Sequence, residues 1–364
     1  MTIVYILLAI LILELLIFVH ELGHFTAGKL LGFRVLGFSL GFGPALIKFK
    51  KGKPGDETEY ALRAIPFGGA CQFDGEDEEG QDDPRRFNAN PVWKRLIVIF
   101  AGPFMNILTA YIIAFFIFLC TPTPVQAVDP ATQLPIPVVA AVSADSAAKR
   151  AGVLEGDVLV AINGVSPVPE GDESILDAFV AAIGAQKGDF TVTVERGGEL
   201  IELPVTGAYS SAFDKTVLGV SISTLVDHYE RHGFFESFGG AGTYIINIVK
   251  ATGQGIAGMF KNGIHRGDVS GIVGTVGIMV DVAKEDSVNL IYVACILSLS
   301  LGLFNLIPFP ALDGGRILFL IIEAIIGRPL NRKVEAIVNG VGLALLFLLM
   351  IVVTFSDIVG LFAK

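Results

Sequence analysis

Four long apolar stretches punctuate the chain, at residues 3–31, 96–120, 290–326 and 334–362, and the segments between them return polar residues every few positions. Each stretch is long enough to cross ~30 Å of hydrocarbon as a helix rising ~1.5 Å per residue. The third is interrupted by Pro308, Pro310, Gly314 and Gly315. Such residues break a helix and free backbone groups that need water or protein partners, so this part should line a cavity. The pattern predicts an α-helical polytopic membrane protein with about four transmembrane helices, at 1–31, 96–120, 290–327 and 334–362. The first stretch has no basic residue ahead of its apolar core, carries Glu14 and continues into specific sequence, so it reads as retained rather than as a cleaved leader.

Basic residues near membrane-spanning ends stay on the cytoplasmic side. Eleven lysines and arginines lie between Lys29 and Arg95, and Arg328, Arg332 and Lys333 precede the last span. Both loops are therefore expected in the cytoplasm, with both termini and residues 121–289 outside. Within 121–212 the pattern predicts an α/β module, with strands at 135–142 and 157–163, a helix at 175–183, and a hairpin of 190–196 with 200–205 turning at Gly197 and Gly198. Residues 213–289 are a glycine-rich linker with an apolar-periodic stretch at 234–260. That stretch fits an interfacial amphipathic helix or a helix packed on the outer module.

Composition narrows the class. With 52% hydrophobic and 17% charged residues, the chain is no secreted disulfide scaffold, disordered tail or nucleic-acid binder. The net charge of −10 argues against a polyanionic partner, and much of it is expected from the acidic run Asp74 to Asp83. Cys71, Cys120 and Cys295 are too scattered for a disulfide framework or a cysteine metal motif, and read as packing residues.

The candidate chemistry lies in the first span. His20-Glu21-Leu22-Gly23-His24 puts two imidazoles one turn apart on a helix, with Glu21 between them able to reach a metal-bound water. Ionisable groups at membrane depth are costly and usually mark function. A catalytic zinc wants three protein ligands and an open position. The extended histidine pattern of some soluble enzymes would need a glycine at position 27 and a histidine at position 30, where this chain has Ala27 and Leu30. Glu57 or Glu59 could serve, but no helical pattern surrounds them. Asp313 is the better third ligand: counted from the outer interface, His20 and Asp313 both come to lie ~30 Å deep.

These motifs resemble the site-2 proteases, specifically intramembrane zinc metalloproteases of the bacterial regulator-of-sigma-E type. The resemblance is carried by His20 to His24, by Asn305-Leu306-Ile307-Pro308-Phe309-Pro310-Ala311-Leu312-Asp313-Gly314-Gly315, and by Ala101-Gly102-Pro103-Phe104-Met105-Asn106. Residues 37–44 and 60–69 resemble that family's membrane-associated β-hairpin region, which implies a cytoplasmic-side β loop over 32–95. Residues 151–164 resemble the signature of a PDZ domain, a peptide-binding fold, and 121–212 has room for one such domain where some members carry two. The run Ser270-Gly271-Ile272-Val273-Gly274 lacks a proline common in the family at that point.

The resemblance implies one Zn²⁺ per chain held by His20, His24 and Asp313, with Glu21 as general base. It implies that Asn305 and Asn106, with Pro308, Pro310 and Gly314, support the site or hold substrate. It further implies a bacterial cytoplasmic membrane location, an active site near the cytoplasmic side, and cleavage of membrane-spanning proteins or peptides already shortened by another protease, such as anti-sigma factors or remnant signal peptides. No nucleic-acid partner is expected. A catalytically inactive PDZ-bearing scaffold and an intramembrane metal transporter are the alternatives.

Overall fold

Residues Thr2–Leu30 form one helix, α1, because an apolar run without proline has no partner for its backbone groups in hydrocarbon except itself. The computed structural model describes residues 2–76, 83–171, 173–210, 215–263, 270–286 and 288–362. The middle of the acidic run, 77–82, lies outside the described residues. After α1 come β1 (Val35–Lys51), β2 (Thr58–Phe73) and α2 (Val92–Cys120). The outer segment contributes β3 (Thr123–Gln126), β4 (Pro137–Val142), α3 (Ala147–Ala151), β5 (Val158–Ile162), α4 (Ile175–Gly184), β6 (Asp189–Arg196) and β7 (Glu199–Thr206). It ends with β8 (Ala208–Ser210), β9 (Lys215–Val217), β10 (Val220–Thr224) and β11 (Val226–Glu230). Five helices follow: α5 (Phe234–Asn262), α6 (Ile272–Glu285), α7 (Asn289–Asn305), α8 (Asp313–Ile326) and α9 (Arg332–Phe362).

The chain divides into two units, one of residues 1–119 with 234–364 and one of residues 120–233. In the first, three helices among the described residues, α1, α2 and residues 332–359 of α9, are long and apolar enough to cross a membrane. The stretch at 290–326 is two shorter helices, α7 and α8, separated at Leu306–Leu312. Ala311 there adopts φ +73°, strained for a residue with a Cβ, and donates its amide to Asn339 Oδ1 on α9 at 3.2 Å. The loop packs so tightly on the start of α8 that a Cβ on Gly314 would lie 2.2 Å from the Ile307 carbonyl oxygen, and one on Gly315 2.3 Å from that of Phe309. The double glycine is a packing requirement.

The β1–β2 pair is more than the expected hairpin. Phe38 pairs with both Cys71 and Tyr60, and Leu40 with both Gly69 and Leu62. The first half of β1 is thus sandwiched between the two halves of β2, with bends at Gly41, Gly43 and Gly68, all at positive φ. Phe38 packs edge-on against Phe18 and Phe25 of α1, at 5.9 and 5.2 Å between ring centroids.

Helix α5 packs within the first unit. Ala241, Tyr244, Ile245 and Ile248 pack with Ala110 and Ala114 of α2 and with Cys295 and Leu299 of α7. Apolar periodicity alone cannot distinguish a lipid surface from a neighbouring apolar helix. Helix α6 packs on α1 through Met279, Ala283 and Ala9. Its first turn is capped from α9, where Asp357 Oδ2 accepts the amides of Gly271 and Gly274 at 3.0 and 2.8 Å. That contact accounts for the two glycines of the Ser-Gly-Ile-Val-Gly run, since a Cβ at either would meet the Asp357 carboxylate within about 3 Å.

In the second unit one antiparallel sheet runs β10-β4-β5-β6-β7, with α4 over a core of Val139, Leu159, Phe179, Val192, Val194 and Val205. The expected end at 212 falls short, because β10 pairs along β4 and the unit continues to Gly233. Those short strands escape sequence patterning because their partners lie some 80 residues back (Ile222 on Val139). Ser174 closes a capping box with Asp177 to start α4. This unit has 15 acidic and 6 basic side chains, so it carries nine of the ten net negative charges. The acidic run at 74–83 is instead offset by the basic residues around it.

Candidate metal centre

Helix α2 is the spine on which the candidate centre is assembled. His24 Nδ1 donates to the Val98 carbonyl at 2.8 Å, which leaves Nε2 with its lone pair free. One turn along, Gly102 lies against the same ring, where a Cβ would sit 2.2 Å from His24 Nε2. One further turn along, Asn106, fully buried, places its amide 3.3 Å from His20 Nδ1. Ser298 of α7 donates to the Asn106 carbonyl at 2.8 Å, and Cys295 Sγ to that of Ala110 at 3.2 Å. The α1–α2 contact itself depends on Gly23, whose Cβ would fall 2.3 Å from the Ala101 oxygen.

Asp313 opens α8, where a carboxylate is favoured by the helix dipole. Its Oδ2 lies 3.0 Å from His20 Nε2 and 3.3 Å from His24 Nε2, and the two imidazole nitrogens are 3.2 Å apart. The three side chains thus offer ligand atoms within 4.8 Å of one another. Ligands bonded to a tetrahedral zinc at ~2.0–2.1 Å stand roughly 3.3 Å apart, so the spacing fits. The donor set fits as well, being two imidazoles and one carboxylate whose ligand atoms converge on one point.

Glu21 projects beside this triangle. Gly69 of β2 approaches it so closely that a Cβ there would lie 2.7 Å from Glu21 Cγ, and the Cys71 backbone amide faces its carboxylate. Among the described residues, the outer half of β2, 65–73, pairs only with the first half of β1, and its other edge next to Glu21 has no strand partner.

The remaining predicted residues serve differently. Asn305 donates to Leu301 of its own helix at 2.9 Å. Pro308 is exposed, Pro310 packs on Gly342 of α9, and Gly314 packs on the loop carbonyls. These four shape the turn that presents Asp313. Val98, Ser298 and the pair Arg95–Glu323 were not foreseen. Arg95 holds Glu323 through two bonds of 2.5 and 3.2 Å, so α8 is fixed to α2 at its far end. Arg316 pairs with Glu76 just beyond β2 at 2.5 Å. Only Gly102, inside the Ala-Gly-Pro run, carried any signal in the sequence.

The profile of peptidase family M50 matches residues 8–349. A putative zinc metalloprotease of Synechocystis is 33% identical over 97% of this chain and 94% of its own length. The regulator of sigma-W protease of Bacillus subtilis is 29% identical over 97% and 98%. A probable chloroplastic membrane metalloprotease of Arabidopsis thaliana is 32% identical over 96% and 79%. The profile embraces both the paired histidines and the distant aspartate, and the chain belongs to peptidase family M50: it is a membrane peptidase of the site-2 type.

Proposed function

We propose that this protein is an intramembrane zinc endopeptidase that cleaves single-span substrates near the cytoplasmic side of a bacterial membrane. The observation that carries the reading is the convergence of His20, His24 and Asp313, with Glu21 beside them. His20, His24 and Asp313 hold the ion, which when bound supplies a polarised water and Lewis-acid assistance at the scissile carbonyl. Asn106 orients His20: its Oδ1, buried without a partner among the described residues, accepts Nδ1–H once the amide is turned over, freeing Nε2 as a ligand. Glu21 takes the proton of the attacking water and returns it to the leaving amine.

A helical substrate hides its amides in its own hydrogen bonds, so cleavage requires local unwinding. The open edge of residues 65–73 lies alongside Glu21, where an extended segment adds as a further strand and brings its backbone to the base. The basic loops at 29–95 and 328–333 keep this edge on the cytoplasmic side, which gives four spans if α7 and α8 cross together, and places the termini and the 120–233 unit outside. That unit is a single PDZ-like domain that docks or size-filters substrates already trimmed by another protease. Candidate substrates are anti-sigma factors and remnant signal peptides; the Bacillus relative is named a regulator of sigma-W protease.

The test is hydrolysis of a panel of single-span peptides by the purified protein and by Glu21→Gln, with zinc measured in both. Cleavage by the parent alone at equal zinc supports the assignment. Equal activity in both removes Glu21 from the chemistry.

A further inference from the structure

One ionisable group in α1 has no part in the chemistry above. Both carboxyl oxygens of Glu14 are withdrawn from solvent and have no hydrogen-bond partner among the described residues. The helix around it shows which way it faces. Ala9 and Leu16 are buried, and Ala9 belongs to the cluster with α6. Leu11 and Leu15, on the neighbouring flank, are 64% and 55% exposed, so the helical bundle does not cover that flank of α1. Seven residues make close to two helical turns, which puts Glu14 on the same face as Glu21, with Phe18 between them. Phe18 rests on Phe38 of the β layer and Glu21 on Gly69. On that face Glu14 is therefore a polar group one step outward from Glu21, ~10.5 Å from it along the helix axis.

A carboxyl in this position needs donors that the helical bundle does not supply, and an unwound substrate has donors that hydrocarbon does not satisfy. We propose that Glu14 is a substrate-recognition residue whose carboxyl accepts backbone N–H groups freed when the substrate helix opens above the cleavage point. The inference rests on the peptidase reading. A rise of ~10.5 Å along α1 corresponds to about three residues of extended chain at ~3.3 Å each. The contact therefore falls about three residues from the scissile bond, on the substrate's outer side. Glu14 thus lowers the cost of unwinding and selects segments that present an amide there.

The experiment uses the full-length, zinc-loaded enzyme in proteoliposomes with a single-span peptide, and the variants Glu14→Leu and Glu14→Gln at equal zinc. A set of substrates replaces one backbone amide with an ester, at the second, third or fourth residue from the cleaved bond, which removes the N–H and leaves the side chains intact. Glu14→Leu should lower kcat/KM about tenfold or more on the all-amide peptide, while Glu14→Gln, which keeps an acceptor oxygen, stays within about threefold. One ester should slow the parent enzyme comparably and erase the difference between parent and Glu14→Leu. Additive effects of ester and variant, no loss in Glu14→Leu, or a loss in Glu14→Gln equal to that in Glu14→Leu would each overturn the proposal. Absence of cleavage by the parent enzyme would instead strike at the peptidase reading.

Discussion

Arg95, near the start of α2, and Glu323, near the end of α8, form a two-bond ion pair in which the residues are only 3% and 5% exposed. The two residues are 228 positions apart in sequence, and Arg332 of α9 approaches the same carboxylate at 3.5 Å. Breaking a buried pair strands a charge, which typically costs about 3–5 kcal/mol, whereas replacing both partners by apolar residues can be nearly neutral. Glu323→Gln should lower the thermal midpoint of the detergent-solubilised protein sharply, and Arg95→Met with Glu323→Leu should recover most of it. Single variants as stable as the parent would show that the pair does not hold α8.

Gly102 is predicted to be intolerant of even a methyl group. In Gly102→Ala the new carbon would overlap the His24 ring, and either the imidazole turns from its Val98 bond or α1 and α2 separate. Loss of ligand orientation of this kind usually costs roughly 10–100-fold in metal affinity. Competition with a chelator measures it. Unchanged affinity would mean that the ring has another position from which to bind.

The 120–233 unit should weaken in acid. Burial by itself would raise the Asp157 carboxyl, but Arg196 bonds both its oxygens at 2.7 Å and the Leu154 amide adds a third bond at 2.8 Å. The balance holds the group below its ordinary value. A lowered carboxyl stabilises the folded state above the unfolded value of about 3.9, and that contribution disappears as pH falls through the folded one. Hydrogen exchange in β6, corrected for its intrinsic pH dependence, should accelerate below about pH 4. Arg196→Met should already exchange faster at neutral pH and show a smaller further change in acid. Identical acid profiles would exclude the pair as the cause.

The parts of this protein that sequence reveals are those whose cause is local. An apolar run must be a helix in hydrocarbon, so the placement of His20 and His24 on one face of α1, with Glu21 between them in sequence, could be read directly. The prolines and glycines before Asp313 announced a break, and depth counting brought that carboxylate level with the histidines. What could not be read depends on partners far along the chain. The Val98 carbonyl looks like any other helical carbonyl until His24 is laid against it, and Arg95 looks like one more cytoplasmic charge until Glu323 arrives from α8. The folding of β1 between the halves of β2 is likewise hidden, since alternation marks a strand without naming its neighbours. Strands β9 to β11 are only three to five residues long, too short to show a clear alternation, and the packing of α5 on α2 and α7 uses an apolar stripe of the kind a membrane surface would also attract.

Zinc stoichiometry across three proteins addresses the centre most directly. Purified parent enzyme and Glu21→Gln should each retain one zinc per chain through chelator washing, while Asp313→Ala, still folded by its unfolding transition, should lose it. Full retention of zinc by Asp313→Ala would contradict the account, because the ion would then be held without the carboxylate that α8 delivers to His20 and His24.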